Sequence, residues 1–167
     1  SQLFLAAMTL QSKLPAVGTT IFSQMSQLAA EQQAINLSQG FPDFAADDLL
    51  LDKLAEYSRQ GLNQYAAMPG IVPLRQQIAA LLQRCYGRSV NAEQHITVTS
   101  GATEALFVAI STVVQAGDEV IVFDPAYDSY EPAINLCGAK AVHIALQATD
   151  YRTDWQQVAA AVSLRTK

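Results

Sequence analysis

The hydrophobic positions of this chain follow two periods, one typical of strands and the other of helices. Short runs rich in β-branched residues at 96–99, 120–123 and 140–146 predict three buried strands. Elsewhere hydrophobic residues recur every three or four positions, which predicts helices. The predicted helices contain Ile21–Ala29, Leu50–Tyr57, Leu74–Cys85, Ala105–Val114, Tyr130–Leu136 and Val158–Val162. From residue 96 onward strands and helices alternate, so we expect an α/β fold with a mainly parallel sheet.

Small polar residues and a glycine predict where several of these helices begin and end. Thr19 or Thr20 can cap the first helix, because a hydroxyl accepts a hydrogen bond from an N–H group of the first turn. Asp47 or Asp48 can do the same for the second helix. Gly117 lies where a glycine often ends a helix, which extends the fourth predicted helix almost to that residue.

The predicted sheet has only three strands, which is few for a parallel sheet whose strands are this apolar. Each of the three strands is apolar on both faces, and a parallel sheet needs helices on both sides and protected edges. The stretch before residue 35 holds an extended arm and one helix, which is too little for a core of its own. We therefore expect a sheet that is incomplete in this chain and a chain that exposes apolar surface when it is isolated.

A strand, a tight turn and a helix follow one another between residues 96 and 114. Gly101 in the turn permits a close approach of the backbone to a ligand. The N–H groups at the start of the helix have no acceptor within the helix and favour an anion. The next predicted strand leads into Asp124 and Pro125, which place Tyr127 beyond its carboxyl end. Ligands bind at this edge in open α/β sheets, so both features indicate a ligand site.

Composition and charge narrow the classes of function. Half of the 167 residues are hydrophobic, which is typical of a globular domain. The net charge of −5 argues against nucleic acid or an anionic membrane as a partner. No apolar run is long enough to span a bilayer, and the start of the chain is a poor signal peptide, so we expect a cytoplasmic protein.

The cysteines and histidines do not suggest a disulfide framework or a metal site. Cys85 lies on an apolar helix face and Cys137 precedes a glycine, so we expect two buried free thiols. His95 and His143 have no cysteine, histidine or carboxylate at metal-ligand spacing, and we interpret both as structural residues. No metal is expected.

Four short motifs give the sequence a family resemblance. They occupy residues 37–44, 63–65, 100–106 and 124–130 and read LSQGFPDF, NQY, SGATEAL and DPAYDSY. In this order they resemble the pyridoxal-phosphate-dependent aminotransferases of fold type I, class I/II, and most of all the methionine / kynurenine aminotransferase group. The resemblance extends over nearly the whole chain, from about Lys13 onward.

The resemblance implies a three-layer α-β-α fold with a mainly parallel sheet, that of the major domain of pyridoxal-phosphate-dependent transferases. The sheet is expected to be incomplete in this chain. Residues 1–46 are expected to form an N-terminal arm and the start of a small domain. Residues 47–167 are expected to form the first part of the pyridoxal-phosphate-binding large domain.

The resemblance also assigns roles at the cofactor. Gly101, Ala102 and Thr103 fall where the family holds the cofactor phosphate with backbone N–H groups and a hydroxyl. Tyr127 falls where the family stacks an aromatic ring on the pyridine of pyridoxal phosphate. These expectations agree with the ligand site predicted above from the strand and helix pattern.

Two further matches concern a second subunit and the substrate. Tyr65 matches a tyrosine that reaches the cofactor phosphate of the neighbouring subunit, which implies a homodimer with a shared active site. Gly40 matches a glycine beside the substrate carboxylate, although its local sequence alone is that of an ordinary loop glycine. The implied reaction moves the amino group of an L-amino acid, methionine or an aromatic or similar hydrophobic one, to a 2-oxo acid.

The sequence departs from the family in its lysines. These enzymes bond the cofactor covalently to a lysine as a Schiff base, usually in a Ser-x-Ser-Lys-like context. None of the four lysines has that context; they are Lys13, Lys53, Lys140 and Lys167. The family's asparagine and aspartate at the cofactor ring, and its arginine for the substrate carboxylate, are absent as well. We therefore expect the lysine to lie downstream, no catalytic residue in this chain, and no transamination by this chain alone.

Three alternatives compete with this interpretation. A pyridoxal-phosphate-dependent carbon–sulfur β-lyase, or a ring-forming lyase, has the same N-terminal motifs. A non-catalytic phosphate-binding or dimerisation module would bind phosphate without the absorbance of the bound cofactor. A generic nucleotide-binding α/β domain is disfavoured, because no strand is followed by G-x-G-x-x-G and the chain lacks G-x-x-x-x-G-K-[ST].

Overall fold

The computed structural model describes residues 10–40 and 42–167, and these form two compact units. One unit is Ile35–Ser100, and the other combines the described residues up to Ala34 with Gly101–Lys167. The elements, in chain order, are α1 (Ile21–Glu31), α2 (Asp48–Arg59), α3 (Val72–Tyr86), α4 (Ala102–Val113), β1 (Glu119–Asp124), α5 (Tyr130–Leu136), β2 (Lys140–Ala145) and α6 (Trp155–Ala161). The predicted α/β class is confirmed, whereas the first nine residues of the predicted arm and Phe41 of the first motif lie outside the described residues.

Side-chain caps set the starts of the first two helices, as predicted. The Thr20 hydroxyl accepts a hydrogen bond from the Ser23 N–H at 3.3 Å at the start of α1. The Asp47 carboxylate accepts one from the Leu49 N–H at 2.9 Å at the start of α2. Since donor and acceptor lie within one turn in both cases, local hydrogen bonding is enough to define these helix starts.

A buried arginine organises the unit formed by Ile35–Ser100. Arg75 on α3 is only 6% exposed; its Nε donates to the carbonyl of Gly70 at 3.1 Å and its Nη1 to that of Ala92 at 3.0 Å. Gly70 has a φ of 96°, and a Cβ added there would come within 2.7 Å of Cγ2 of Val98. The guanidinium therefore joins the turn before α3 to the chain that follows it, and the turn requires a glycine.

The sheet contains β1 and β2, which pair in parallel as the sequence predicts. The register runs from Glu119 opposite Lys140 to Asp124 opposite Ala145. α5 connects the two strands and packs against both of them. Among residues 10–40 and 42–167, the buried apolar side chains are those of Val114, Val122, Ala133, Ile134 and Ile144. The core of this unit therefore lies where α5 covers the strands.

Glu119, the first residue of β1, joins the segment 163–166 to the sheet. Its carboxylate accepts a hydrogen bond from the Ser163 hydroxyl at 2.6 Å and forms an ion pair with the guanidinium of Arg165. The Ser163 hydrogen bond and then the Arg165 contact lower the pKa of Glu119 below its ordinary value of 4.5. Glu119 also forms a parallel bridge with Thr166. The carboxylate therefore stays charged although the residue is buried.

Two predictions about regular structure are wrong. Residues 96–99 have no regular secondary structure and do not join the described sheet; Val98 donates its N–H to the carbonyl of Pro69 at 3.0 Å instead. A β-branched run becomes a strand only where a neighbour completes the hydrogen-bond ladder. The fourth predicted helix, α4, ends at Val113, because Val114 already has the extended φ of −96° and ψ of 132°. Gly117, with a φ of 88°, forms the turn into β1 instead.

The apolar surface of the chain is only partly covered. The prediction of two buried thiols is wrong, because Cys85 is exposed and Cys137 is half-buried. Leu81, on the same helix as Cys85, is exposed too, as are Leu50 and Leu54 of α2. The expectation of exposed apolar surface is thereby confirmed. Among residues 10–40 and 42–167, no helix combines the length and apolar character needed to cross a membrane.

Candidate functional site

The start of α4 offers backbone donors to a ligand. Gly101 is the N-cap residue, with φ of 92° and ψ of 167°, and within the described part of the chain no side chain caps this helix. Ala102 and Thr103 are the first two residues of the helix, so their N–H groups have no acceptor one turn back. A helix of 12 residues adds a partial positive charge at this end. The position therefore suits an anion such as a phosphate.

Tyr127 lies beside this helix start. Its hydroxyl is 3.0 Å from Oγ1 of Thr103, although the two residues are 24 positions apart in sequence. The ring is 43% exposed and meets the ring of Tyr130 edge-on, with centroids 5.8 Å apart. One hydrogen bond and one ring contact thus hold a flat aromatic surface at the place where the helix favours an anion.

The fold brings these residues together at the carboxyl end of β1. The strand ends at Asp124, and the segment 125–129 then turns into α5. Within that segment the carbonyl of Tyr127 accepts a hydrogen bond from the N–H of Tyr130 at 3.1 Å. The candidate site is therefore built from a helix start and a strand end of the same unit, at the edge of the sheet where α/β proteins bind ligands.

The two remaining candidate residues belong to the other unit. The side chain of Tyr65 is fully exposed. A Cβ added at Gly40 would meet no atom within 4 Å, which leaves room for a ligand at its backbone. Whether Tyr65 and Gly40 contribute to the site around Thr103 stays a prediction.

Sequence reasoning missed one group at the carboxyl end of β1. His143 on β2, which we interpreted as a structural residue, has its Nδ1 2.9 Å from Oδ2 of Asp124. The pairing of β1 with β2 is the signal that could have found it, since His143 lies opposite Val122, two residues before Asp124. The described residues contain no group of three or more histidines, cysteines or carboxylates that could hold a metal ion. His143 is therefore a hydrogen-bonding residue in this structure.

Together these features define an α/β protein with a helix start suited to an anion and an aromatic ring at the carboxyl end of a parallel sheet. Residues 32–167 match the family model for aminotransferase class I and II, so the chain belongs to this family.

Its curated relatives are aminotransferases with different substrates. The chain is 56% identical over 157 residues to the methionine aminotransferase of Escherichia coli (strain K12), covering 94% of this chain and 41% of that enzyme. It is 38% identical over 158 residues to the probable N-succinyldiaminopimelate aminotransferase DapC of Mycobacterium tuberculosis (strain ATCC 25618 / H37Rv), covering 93% and 40%. Identity to kynurenine–oxoglutarate transaminase 1 of Mus musculus is 31% over 157 residues, covering 86% and 37%. The chain thus spans about two-fifths of the length of these relatives.

Solved structures show the same fold. The crystal structure of YbdL from Escherichia coli, for which a methionine aminotransferase function was identified, matches with a TM-score of 0.91 and 55% identity over 96% of this chain and 42% of that one. N-succinyldiaminopimelate aminotransferase from Mycobacterium tuberculosis matches with a TM-score of 0.88 and 37% identity over 95% and 42%. The fold implied by the sequence motifs, that of fold-type I aminotransferases, is thereby confirmed for the part that this chain spans.

Proposed function

We propose that the protein to which these residues belong is a pyridoxal-phosphate-dependent aminotransferase. It transfers the amino group from an L-amino acid, methionine or an aromatic or similar hydrophobic one, to a 2-oxo acid. The observation that carries the proposal is the 3.0 Å contact between Thr103 and Tyr127, which brings a flat ring to a helix start suited to phosphate. Membership of a family of pyridoxal-phosphate enzymes, and the methionine and kynurenine aminotransferases among the relatives, support it.

The residues present fit a phosphorylated pyridine. Gly101 has open space where a Cβ would stand, so a phosphate can approach the backbone closely. The N–H groups of Ala102 and Thr103 and the Thr103 hydroxyl would donate to the phosphate oxygens. The half-exposed ring of Tyr127 would stack on the pyridine. When bound, the cofactor supplies an electron sink for bond changes at the substrate Cα.

Two lysines of the same unit lie at the opposite end of the sheet from this site. Lys140 begins β2, and the six residues of that strand put it roughly 17 Å from the carboxyl end. Lys167 donates its N–H to the carbonyl of Glu119 at 3.0 Å, at the amino end of β1. Neither lysine is placed to bond the cofactor covalently. Since none of the four lysines has the Schiff-base context either, this chain by itself is proposed to hold the cofactor non-covalently at most and not to transaminate.

Tyr65 and Gly40 complete the proposed site in a cytoplasmic homodimer. Tyr65, whose side chain is fully exposed, would reach the phosphate bound by the other subunit. Gly40 would lie beside the substrate carboxylate; its chain neighbours aside, no described residue comes within 4 Å of a Cβ built there. The proposed division of the sequence is an arm and the start of a small domain in residues 1–46 and the first part of the cofactor-binding domain in residues 47–167.

The test uses the product of the complete reading frame that contains these residues, supplied with pyridoxal phosphate. Incubation with L-methionine and a 2-oxo acid should yield the 2-oxo acid of methionine. Release of pyruvate and ammonia from an S-substituted cysteine, without amino transfer, would indicate a carbon–sulfur β-lyase instead. Phosphate binding without either reaction would indicate a non-catalytic module.

Variants of the stacking tyrosine test the site itself. Tyr127→Ala should raise the Kd of pyridoxal phosphate about tenfold, because it removes the ring contact. Tyr127→Phe keeps the ring and should keep the Kd within about threefold of wild type. Tyr86→Ala, an exposed tyrosine at the end of α3, serves as the control and should leave the Kd unchanged. An unchanged Kd in Tyr127→Ala would show that the ring does not contact the cofactor.

A further inference from the structure

His143 is hydrogen-bonded to the last residue of β1, next to the proposed site, although the proposed reaction assigns it no role. It lies on β2 opposite Val122 of β1. Because side chains alternate along a strand, Val122 and Asp124 share a face, and His143 reaches Asp124 diagonally. Its Nδ1 lies 2.9 Å from Oδ2 and 3.2 Å from Oδ1 of that carboxylate.

A second carboxylate faces the other nitrogen of the ring. Nε2 of His143 lies 3.8 Å from Oε2 of Glu131, which is in the first turn of α5. An ionised carboxylate can only accept a hydrogen bond, so the Nδ1–H of His143 donates to Asp124. This hydrogen bond fixes the imidazole at the last residue of β1, and the distance to Glu131 is too long for a second one.

The hydrogen bond to Asp124 holds the amino end of the segment 125–129. Asp124 directly precedes the segment, so this bond limits how far the segment can move from β2. The segment contains Tyr127, which is held to Tyr130 by a backbone hydrogen bond of 3.1 Å and an edge-on ring contact. A change at His143 should therefore be transmitted to the position of the Tyr127 ring.

We propose that His143 is a positioning residue for Tyr127: by its hydrogen bond to Asp124 it holds the amino end of the segment 125–129 so that the Tyr127 ring lies at the start of α4. This inference rests on the proposed function, since the ring position matters for catalysis only if the ring stacks on pyridoxal phosphate. The side chains of His143 and Asp124 are 39% and 42% exposed, so their contact changes an equilibrium by a few-fold rather than by orders of magnitude.

The first measurement needs no cofactor. In the cofactor-free product of the complete reading frame, His143→Ala should accelerate hydrogen exchange at the Tyr130 amide about three- to fivefold and leave the amides of α4 unchanged. His143→Asn keeps an N–H donor close to the position of Nδ1 and should restore most of the protection. His95→Ala, a histidine of the other unit, is the matched control and should not alter exchange in the segment 125–129.

The second measurement is a double-mutant cycle on the Kd of pyridoxal phosphate. His143→Ala should raise the Kd about three- to fivefold when Tyr127 is present and should have no further effect in a Tyr127→Ala background. The same factor in both backgrounds, or unchanged exchange at Tyr130, overturns the inference. If Tyr127→Ala weakens binding but His143→Ala does not, only the inference fails; if the wild-type protein does not bind pyridoxal phosphate, the proposed function fails and the inference with it.

Discussion

Gly70→Ala is the substitution whose cost the structure defines most closely. Gly70 is buried, its φ is 96°, and an added Cβ would stand 2.7 Å from Cγ2 and 2.8 Å from Cβ of Val98. Left-handed backbone costs a residue with a side chain about 1–2 kcal/mol. Forcing a methyl group into occupied space costs a further 1–3 kcal/mol or so, about the range seen for overpacked cores.

A second glycine separates these two costs. Gly61 has a φ of 78°, but a Cβ there would meet nothing within 4 Å, so Gly61→Ala carries the backbone cost alone. In both variants alanine also restricts the unfolded chain, which offsets about 0.4–1 kcal/mol. We therefore expect a loss of about 1 kcal/mol or less for Gly61→Ala and about 3 kcal/mol for Gly70→Ala.

The assay is urea unfolding of the complete protein, followed by far-ultraviolet circular dichroism. Protein concentration is held fixed and the cofactor omitted, because subunit association and ligand binding would both shift the apparent stability. Adding Val98→Ala removes Cγ2 but leaves Cβ, so the double variant should lose less stability than the two single losses combined. Equal losses at Gly61 and Gly70, within about 0.5 kcal/mol, would refute the steric argument.

Two further substitutions test the buried charges. Arg75→Met should lower the free energy of unfolding, measured in urea, by about 3 kcal/mol, because backbone carbonyls lose their charged donor. Arg84→Met, on the exposed face of the same helix, is the control and should cost less than about 0.5 kcal/mol. Equal losses in the two variants would contradict the structural role of Arg75. Ser163 and Arg165 lower the pKa of Glu119 below its ordinary value of 4.5. The ionised carboxylate therefore stabilises the folded state above pH 4.5, and this stabilisation is lost as the pH falls through the lowered pKa. The melting temperature of the wild type should therefore fall more steeply below pH 4.5 than that of Glu119→Gln, and parallel curves would count against the assignment.

Local chemistry was enough to predict where most elements begin. The side chains of Thr20 and Asp47 accept hydrogen bonds from backbone N–H groups three and two residues further along the chain. Donor and acceptor therefore lie within one short stretch of sequence. The bounds of α5 and the positions of β1 and β2 also follow from short patterns of apolar residues. These predictions succeeded because each depends on residues only a few positions apart.

Predictions failed where the outcome depends on residues that are distant in sequence. The run 96–99 has strand composition, but its backbone pairs with Pro69 rather than with a strand of the described sheet. Gly117, in the turn before β1, donates its N–H to the carbonyl of Gly138 at 3.0 Å. The two residues are far apart in sequence, so no local pattern predicts this contact. Cys85 lies on an apolar helix face, yet periodicity cannot say whether another element covers that face.

The candidate site could be predicted only in part. Gly101 and Tyr127 could be placed from a helix start and a strand end, each of which is a local signal. The contact of Thr103 with Tyr127, and the hydrogen bond of His143 with Asp124, result from the packing of whole elements. A single histidine forms no sequence motif, so the contact of His143 with Asp124 can be predicted only once the pairing of β1 with β2 is known.

The contact between the two hydroxyls sets a condition on how a phosphate could bind. In the structure either Thr103 or Tyr127 can be the donor of their shared hydrogen bond. A phosphate dianion offers only acceptors, so the Thr103 hydroxyl must direct its single proton to the phosphate and can then only accept from its neighbour. Tyr127 must therefore become the donor to Thr103. Phosphate binding at the start of α4 would thus fix the direction of this hydrogen bond, and the tyrosine proposed to stack on the pyridine would also orient the hydroxyl proposed to hold the phosphate.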